Sequence, residues 1–266
     1  MANGTSAATT SRAFRPADHG FDETLAYFDG GGSSYYRPFK AQGGKWHWNQ
    51  KLDAPQDYLS DHIAQRVGLF LEQRATQHPA EPFFLYVAHP AAHSPIQSRA
   101  DDQAHFEAKA RESGWLDPVS PQYAGLLKGM DRSIGAILDQ LDTLGLAANT
   151  AVIFLSDNGG LPKETNSKPL RGGKSMQYEG GIRVPMIVRW PGRTAAGSSS
   201  SVPGDVADIY PTLMEIAGVD YADFKNDPTT DGRSLTPLFT DPGNRQKGYG
   251  RTEFYQFYGK MGYKGY

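Results

Sequence analysis

The sequence of 266 residues contains no cysteine, which excludes disulfide bridges and thiolate metal sites. It has no excess of charge of either sign, because 27 Lys and Arg residues stand against 29 Asp and Glu residues. This balance gives no electrostatic basis for binding nucleic acid or an anionic membrane. No apolar run approaches the length of a membrane span. The first residues, MANGTSAATTSR, lack the basic and apolar segments of a signal peptide.

Glycine, proline and aromatic residues are abundant, with 30 Gly, 18 Pro, 14 Tyr and 13 Phe. This composition indicates a loop-rich globular α/β protein rather than a disordered chain. Residues 1–56 show little periodicity and read as loop. Residues 98–117 are mixed and charged, so we expect them at the surface.

Three apolar patterns have helical spacing. They run from Leu59 to Leu71 with Asp57 as the cap, from Tyr123 to Leu141 after Ser120-Pro121, and from Val206 to Ile216. Three short apolar runs, at 82–88, 151–156 and 185–190, predict buried strands. Alternating helices and buried strands predict an α/β fold whose mainly parallel or mixed sheet is sandwiched by helices.

Polar side chains follow two of these strands, where binding sites form in open α/β sheets. Asp157 and Asn158 come after the run 151–156 and offer hard oxygen ligands suited to calcium or magnesium. An ordinary turn explains the same residues, since Asn-Gly is a common turn dipeptide. His93 follows the run 82–88 and has the chemistry of a proton donor or of a capping histidine. His89 lies nearer the strand, and we expect it to be packed.

Lys174 lies among glycines in KPLRGGKSMQYEGG, where its ammonium could reach an anionic substrate or remain solvated. The stretch Gly173-Lys174-Ser175 lacks the preceding glycine of a nucleotide phosphate loop, which disfavours ATP binding. We expect Glu179 and Arg183 to brace this loop rather than to act on a substrate.

Six stretches together resemble the sulfatase family of the alkaline-phosphatase-like superfamily. In chain order they are HGFDE (19–23), PFFLYVAHPAAHSPIQ (82–97), TAVIFLSDNGG (150–160), PLRGGKSMQYEGGIRVPMIVRWPG (169–192), DIYPTLMEIAG (208–218) and DGRSLTPLF (231–239). The resemblance implies hydrolysis of sulfate esters, carried by small molecules or carbohydrates, at a site that needs Ca²⁺, with Mg²⁺ as the other possible ion. It implies a periplasmic or secreted location for the full-length protein.

The resemblance also implies roles for individual residues. Asp157 and Asn158 match two metal ligands, Lys174 matches the lysine that contacts the sulfate group, and His93 matches the histidine beside the leaving oxygen. His93 and Lys174 are therefore the expected catalytic and substrate-binding residues. The family's Gly-Lys-Trp-His normally precedes its Gly-Phe-Asp stretch, whereas here Lys45 and His47 follow it, so no role is carried onto them.

Two parts of the family pattern are absent. The family's nucleophile is a formylglycine made within a Cys/Ser-x-Pro-x-Arg motif ahead of the Gly-Phe-Asp stretch, and residues 1–19 contain no such motif. The early Asp-Asp pair of metal ligands is also missing. We therefore expect residues 1–240 to be a partial catalytic domain, incomplete at its N terminus, with 241–266 beginning a shortened C-terminal region. We expect no sulfatase turnover by this chain alone.

Two alternatives stay open at this point. One is a phosphodiesterase or phosphonate hydrolase of the same superfamily, since sulfate and phosphate esters share tetrahedral geometry. The other is a non-catalytic binding protein that retains the scaffold.

Overall fold

A computed structural model describes residues 15–27, 34–36, 46–48, 51–53, 58–114, 119–219, 231–240 and 249. Of Tyr27, 46–48 and 51–53 only the backbone is described. The chain divides into two compact units, residues 1–146 and residues 147–266, and each is considered by itself. The predicted cap Asp57 and the segment 241–266, except Tyr249, lie outside the described residues.

Helix α1 spans Leu59–Gln77 and confirms the first predicted helix. Its stripe of Leu59, Ile63, Val67 and Leu71 is buried, as the helical spacing requires. Helix α3 spans Pro121–Thr143 and confirms the second. Ser120 caps it by accepting the backbone N–H of Tyr123 at 3.1 Å.

Helix α2 spans Ala100–Ser113, in a stretch that the sequence pattern assigned only to charged surface. The sequence pattern does not reveal this helix, because ion pairs rather than an apolar stripe attach it to α3. Asp102 is 2% exposed, and its carboxylate accepts from the Arg132 guanidinium at 2.7 Å. Asp101 and Asp102 in the first turn and Gly114 at φ +61° after the last are the signals that mark its ends.

Three short strands form an antiparallel sheet inside the stretch expected to be loop. They are β1 (Leu25–Tyr27), β2 (Trp46–Trp48) and β3 (Lys51–Asp53), with β2 in the middle. Three residues are too few to show an alternating pattern, which is why the sequence did not reveal them.

The predicted strand at 82–88 is wrong, because these residues form no strand. Exposure alternates along the run as on a strand face, and Phe84 and Tyr86 are 56% and 71% exposed. Within the described part of the chain no neighbouring backbone completes a ladder with it. An apolar run without such a partner keeps the pattern of a strand but not its hydrogen bonds.

Strands β4 (Val152–Leu155) and β5 (Met186–Arg189) confirm the other two predicted strands. Their predicted burial is wrong, since β4 is half-buried and Ile187 of β5 is 63% exposed. They pair antiparallel, with Val152 opposite Arg189. A single turn of helix, α4 (Glu179–Ile182), precedes β5, so the connection has no long crossover helix of the kind that makes neighbours parallel. The mixed helix-and-sheet class is confirmed, and the strand pairs in the described residues are antiparallel.

The second unit ends in α5 (Ile209–Ile216), which confirms the third predicted helix, and α6 (Thr236–Thr240). Its core contains Leu235, Leu238, Phe239 and Tyr249. The fully buried Asp208 carboxylate accepts from the backbone N–H groups of Asp205 and Arg233 and from the Tyr249 hydroxyl. No helix within the described ranges is long and apolar enough to cross a membrane.

Candidate active site

Asp157 and Asn158 lie directly after β4, where the backbone turns. The Ser156 hydroxyl donates to the Asn158 carbonyl at 2.9 Å and holds this turn. The Asp157 side chain is exposed, and within the described residues neither its carboxylate nor the Asn158 amide has a hydrogen-bond partner. A carboxylate and an amide at this strand end are therefore without partners in that part of the chain, and their oxygens are of the kind that Ca²⁺ and Mg²⁺ take as ligands.

Glycines bring the loop after β4 into contact with the loop around Lys174. The Gly159 N–H donates to the Gly181 carbonyl, and the Lys174 N–H donates to the Gly160 carbonyl, both at 2.9 Å. A Cβ atom on Gly159 would lie 1.8 Å from the Gly180 oxygen, so no other residue fits there. Lys174 is consequently fixed beside the turn that carries Asp157 and Asn158.

Ser175, which follows Lys174, has φ +69° and is a non-glycine residue in the left-handed region. Such a conformation costs on the order of 1 kcal/mol and concentrates at functional sites. Because the strain falls next to Lys174, it favours a functional rather than a merely solvated lysine.

Glu179 and Arg183 pair with each other at 3.0 Å through exposed side chains, and their bracing of the loop stays a prediction. The Gly180 N–H also donates to the Arg171 carbonyl at 2.8 Å, and the Ser167 hydroxyl donates to the Gly180 carbonyl at 3.1 Å. These contacts tie residues 167–183 into one framework.

His93 belongs to the first unit and has a defined orientation. Its Nδ1 lies 2.8 Å from the Ser94 carbonyl oxygen, which can only accept, so Nδ1 carries the hydrogen. Nε2 is then the nitrogen available to exchange a proton with another molecule.

Three tyrosines hold the loop that carries His93. The hydroxyls of Tyr35, Tyr58 and Tyr36 donate to the carbonyls of His93, Gln97 and Ser98 at 3.1, 3.0 and 2.8 Å. Burial raises the pKa of the Tyr35 and Tyr58 hydroxyls, which keeps both protonated as donors. Sequence reasoning missed these three residues, because their partners are backbone carbonyls.

A family model described as Sulfatase matches residues 3–219. The chain belongs to the sulfatase family. A sulfatase of Formosa agariphila is 35% identical over 192 residues, which are 68% of this chain and 33% of that protein. Steryl-sulfatase of Homo sapiens is 33% identical over 203 residues, which are 73% of this chain and 32% of that protein. This chain thus spans about a third of the length of these curated relatives.

A solved structure, that of Ps i-CgsB in complex with k-i-k-neocarrahexaose, superposes on this sulfatase-family chain with a TM-score of 0.74. The two are 31% identical, and the match covers 86% of this chain and 52% of the other. It confirms the alkaline-phosphatase-like fold class. Both curated relatives are themselves named as sulfatases.

The sulfatase family generally depends on a metal. Among the residues described here, no group of three or more His, Cys, Asp and Glu side chains is arranged to hold an ion. Asp157 and Asn158 fit two positions of an oxygen ligand set, since both side chains are unpartnered there.

His89 has a structural role in this sulfatase-family chain, as the sequence predicted. Burial lowers the pKa of its imidazole to about 4, so the ring is neutral near pH 7. Its Nδ1 accepts the Ala91 N–H at 3.2 Å, and its buried Nε2 has no partner among the residues that the structure describes. A neutral, enclosed ring of this kind packs the loop and does not donate protons.

Proposed function

We propose that the chain contributes to the hydrolysis of sulfate esters, with Lys174 binding the sulfate group and His93 protonating the leaving oxygen. Asp157 and Asn158 are the proposed ligands of a divalent cation, with Ca²⁺ preferred and Mg²⁺ as the alternative. Family membership gives the reaction class, and the contacts within each unit support the individual roles.

The observation that carries the proposal is the hydrogen bond from the Lys174 N–H to the Gly160 carbonyl at 2.9 Å. It holds the backbone of Lys174 against Gly160, which lies two positions after Asn158. A cation on a fixed backbone needs less reorganisation to stabilise the charge that develops on sulfate oxygens. An ordinary turn with a solvated lysine needs neither this contact nor the unfavourable φ at Ser175.

His93 is suited to general acid chemistry by the bond between its Nδ1 and the Ser94 carbonyl. In the imidazolium form, Nε2–H is the remaining donor and would deliver its proton to the departing ester oxygen. The three tyrosine hydroxyls hold the loop that carries His93. The orientation of the His93 imidazole is therefore set by this loop as well as by its own bond to Ser94.

Hard carboxylate and amide oxygens are ligands typical of Ca²⁺ and Mg²⁺. A bound divalent cation would supply positive charge that polarises the sulfate oxygens. Asp157 brings the negative charge of this pair, and Asn158 brings a neutral oxygen that stays a ligand at any pH.

The proposed substrate class is a sulfated carbohydrate. Support comes from the similarity to i-CgsB, whose structure contains k-i-k-neocarrahexaose. The exposed loop around Lys174 is also open enough for a substituent much larger than sulfate, since residues 175–179 are all exposed.

The test is a calorimetric titration of the full chain with galactose 6-sulfate in the presence of calcium. We expect Lys174→Ala to weaken sulfate binding about tenfold or more, and Asp157→Ala to weaken calcium binding to a similar degree. Lys163→Ala is the matched control, because this lysine lies in the same unit and is 71% exposed. Unchanged binding in Lys174→Ala would contradict the proposal.

Turnover is a separate measurement. Because no Cys/Ser-x-Pro-x-Arg motif precedes the Gly-Phe-Asp stretch, we expect no hydrolysis of 4-nitrophenyl sulfate by the purified chain with calcium. The residues 167–171 fit the spacing of the motif, but they lie in the loop that carries Lys174. Binding without turnover would agree with the proposed residue roles, whereas turnover would show that another nucleophile operates.

A further inference from the structure

Arg171 lies three residues before Lys174, and its guanidinium sits over the ring of Tyr178. The guanidinium carbon is 3.9 Å from the ring centroid, well within the range of a cation–π contact. Both side chains are exposed, Tyr178 by 47%. The pair therefore forms a small cationic surface on the loop that carries Lys174.

The stack leaves the hydrogen-bonding groups of Arg171 unused. Within the described part of the chain its guanidinium has no ion pair and no side-chain hydrogen bond, whereas the neighbouring Arg183 is paired with Glu179. A guanidinium uses its face for the ring and keeps its five N–H donors at the rim. Those donors match the bidentate geometry of a carboxylate or sulfate.

The backbone places Arg171 and Lys174 in a fixed relation. The Arg171 carbonyl accepts the Gly180 N–H at 2.8 Å, and the Lys174 N–H is bound to Gly160. Gly172, between them, has φ +79°, and a Cβ atom there would lie 3.1 Å from the Tyr178 Cβ. Two cations anchored three residues apart on a clamped loop suit a ligand that carries two anionic groups.

We propose that Arg171, oriented by Tyr178, binds a second anionic substituent of the substrate, a sulfate or carboxylate next to the one held by Lys174. This inference rests on the proposed function and narrows its substrate class to sugars with more than one anionic group. Arg171 is a specificity-determining residue, because it contacts a group that does not react.

The test compares galactose 6-sulfate with galactose 2,6-disulfate, titrated calorimetrically into the full chain with calcium. We expect Arg171→Gln to weaken binding of the disulfate about tenfold and to change that of the monosulfate by less than about twofold. Tyr178→Ala should act in the same direction by about threefold, because it frees the guanidinium without removing it. Tyr178→Phe keeps the ring and should match the wild type.

Arg193→Gln is the matched control, because Arg193 is also exposed and stacks on an aromatic ring, that of Trp190, at 5.7 Å. It should leave both affinities unchanged. If Lys174→Ala weakens binding of both sugars, the sulfate site is present. The inference is then overturned if Arg171→Gln weakens binding of both sugars equally or of neither. If Lys174→Ala weakened neither, the proposed sulfate site itself would be wrong, and the inference would fall with it.

Discussion

The backbone N–H of Lys174 donates to the carbonyl oxygen of Gly160 at 2.9 Å. This bond joins the loop after β4 to the glycine-rich loop before β5, although fourteen positions of chain separate the two residues. A second bond, from Gly159 to the Gly181 carbonyl, lies beside it. The relation explains the first of the two glycines after Asp157-Asn158, because a side chain at Gly159 would meet the backbone of Gly180 and keep the loops apart. A side chain at Gly160 would instead meet that of Thr165.

Gly159→Ala should therefore disrupt this contact. A Cβ atom would lie 1.8 Å from the Gly180 oxygen, which is backbone and cannot rotate away. We expect a loss of about 3 kcal/mol in the free energy of unfolding, the upper part of the range for overpacking, measured by urea denaturation. Calcium affinity should fall in the same variant, because the turn carrying Asp157 moves.

Gly135→Ala is the control for this substitution. Gly135 lies in the interior of α3, and a Cβ atom there would meet nothing within 4 Å. Alanine is the better helix former, so this variant should be more stable by about 0.5–1 kcal/mol. If Gly135→Ala were less stable than the wild type and Gly159→Ala equally stable, the close contact between the two loops would be contradicted.

Helices α1 and α3 were predictable because each carries an apolar stripe at helical spacing. The glycines after β4 and around Lys174 drew attention to Asp157, Asn158 and Lys174. Helix α2 was not, because its attachment to α3 uses the buried Asp102 carboxylate instead of an apolar face. The tyrosines that hold the His93 loop were not predictable either. Their partners are backbone carbonyls 39 to 62 residues away, and a carbonyl leaves no signal in the sequence.

Asp102 should contribute far more to stability than its neighbour Asp101. The Asp102 carboxylate is 3% exposed and pairs with both Arg132 and Lys128, whereas Asp101 is 65% exposed. We expect Asp102→Ala to cost about 3 kcal/mol, the low end for a broken buried ion pair, because both cations can regain water. Asp101→Ala should cost less than about 1 kcal/mol. Similar urea midpoints for the two variants would contradict this assignment.

Tyr35 should position His93 through its hydroxyl. Tyr35→Phe removes the donor to the His93 carbonyl and leaves that carbonyl without this partner, at a cost of about 1–2 kcal/mol. We expect faster amide hydrogen exchange in residues 93–98 in this variant. Tyr36→Phe removes a similar bond, to Ser98, from a side chain that is 37% exposed, so water can replace it. Exchange in Tyr36→Phe should stay close to the wild type, and the same acceleration in both variants would argue against a specific role for Tyr35.

His89 should make the stability of the chain depend on pH between 7 and 5. Burial lowers the pKa of its imidazole to about 4 in the folded chain, against about 6.5 in the unfolded chain. As the pH falls below 6.5, the imidazole becomes protonated in the unfolded chain but stays neutral in the folded chain. The free energy of unfolding therefore decreases. The loss should reach about 2 kcal/mol between pH 7 and pH 5 and grow further towards pH 4.

His89→Asn keeps an acceptor for the Ala91 N–H but does not titrate, so its urea midpoint should fall less over this range. The same substitution at the exposed His105 serves as the control and should keep the wild-type slope. Parallel pH profiles for His89→Asn and the wild type would show that the imidazole is not enclosed as the structure describes.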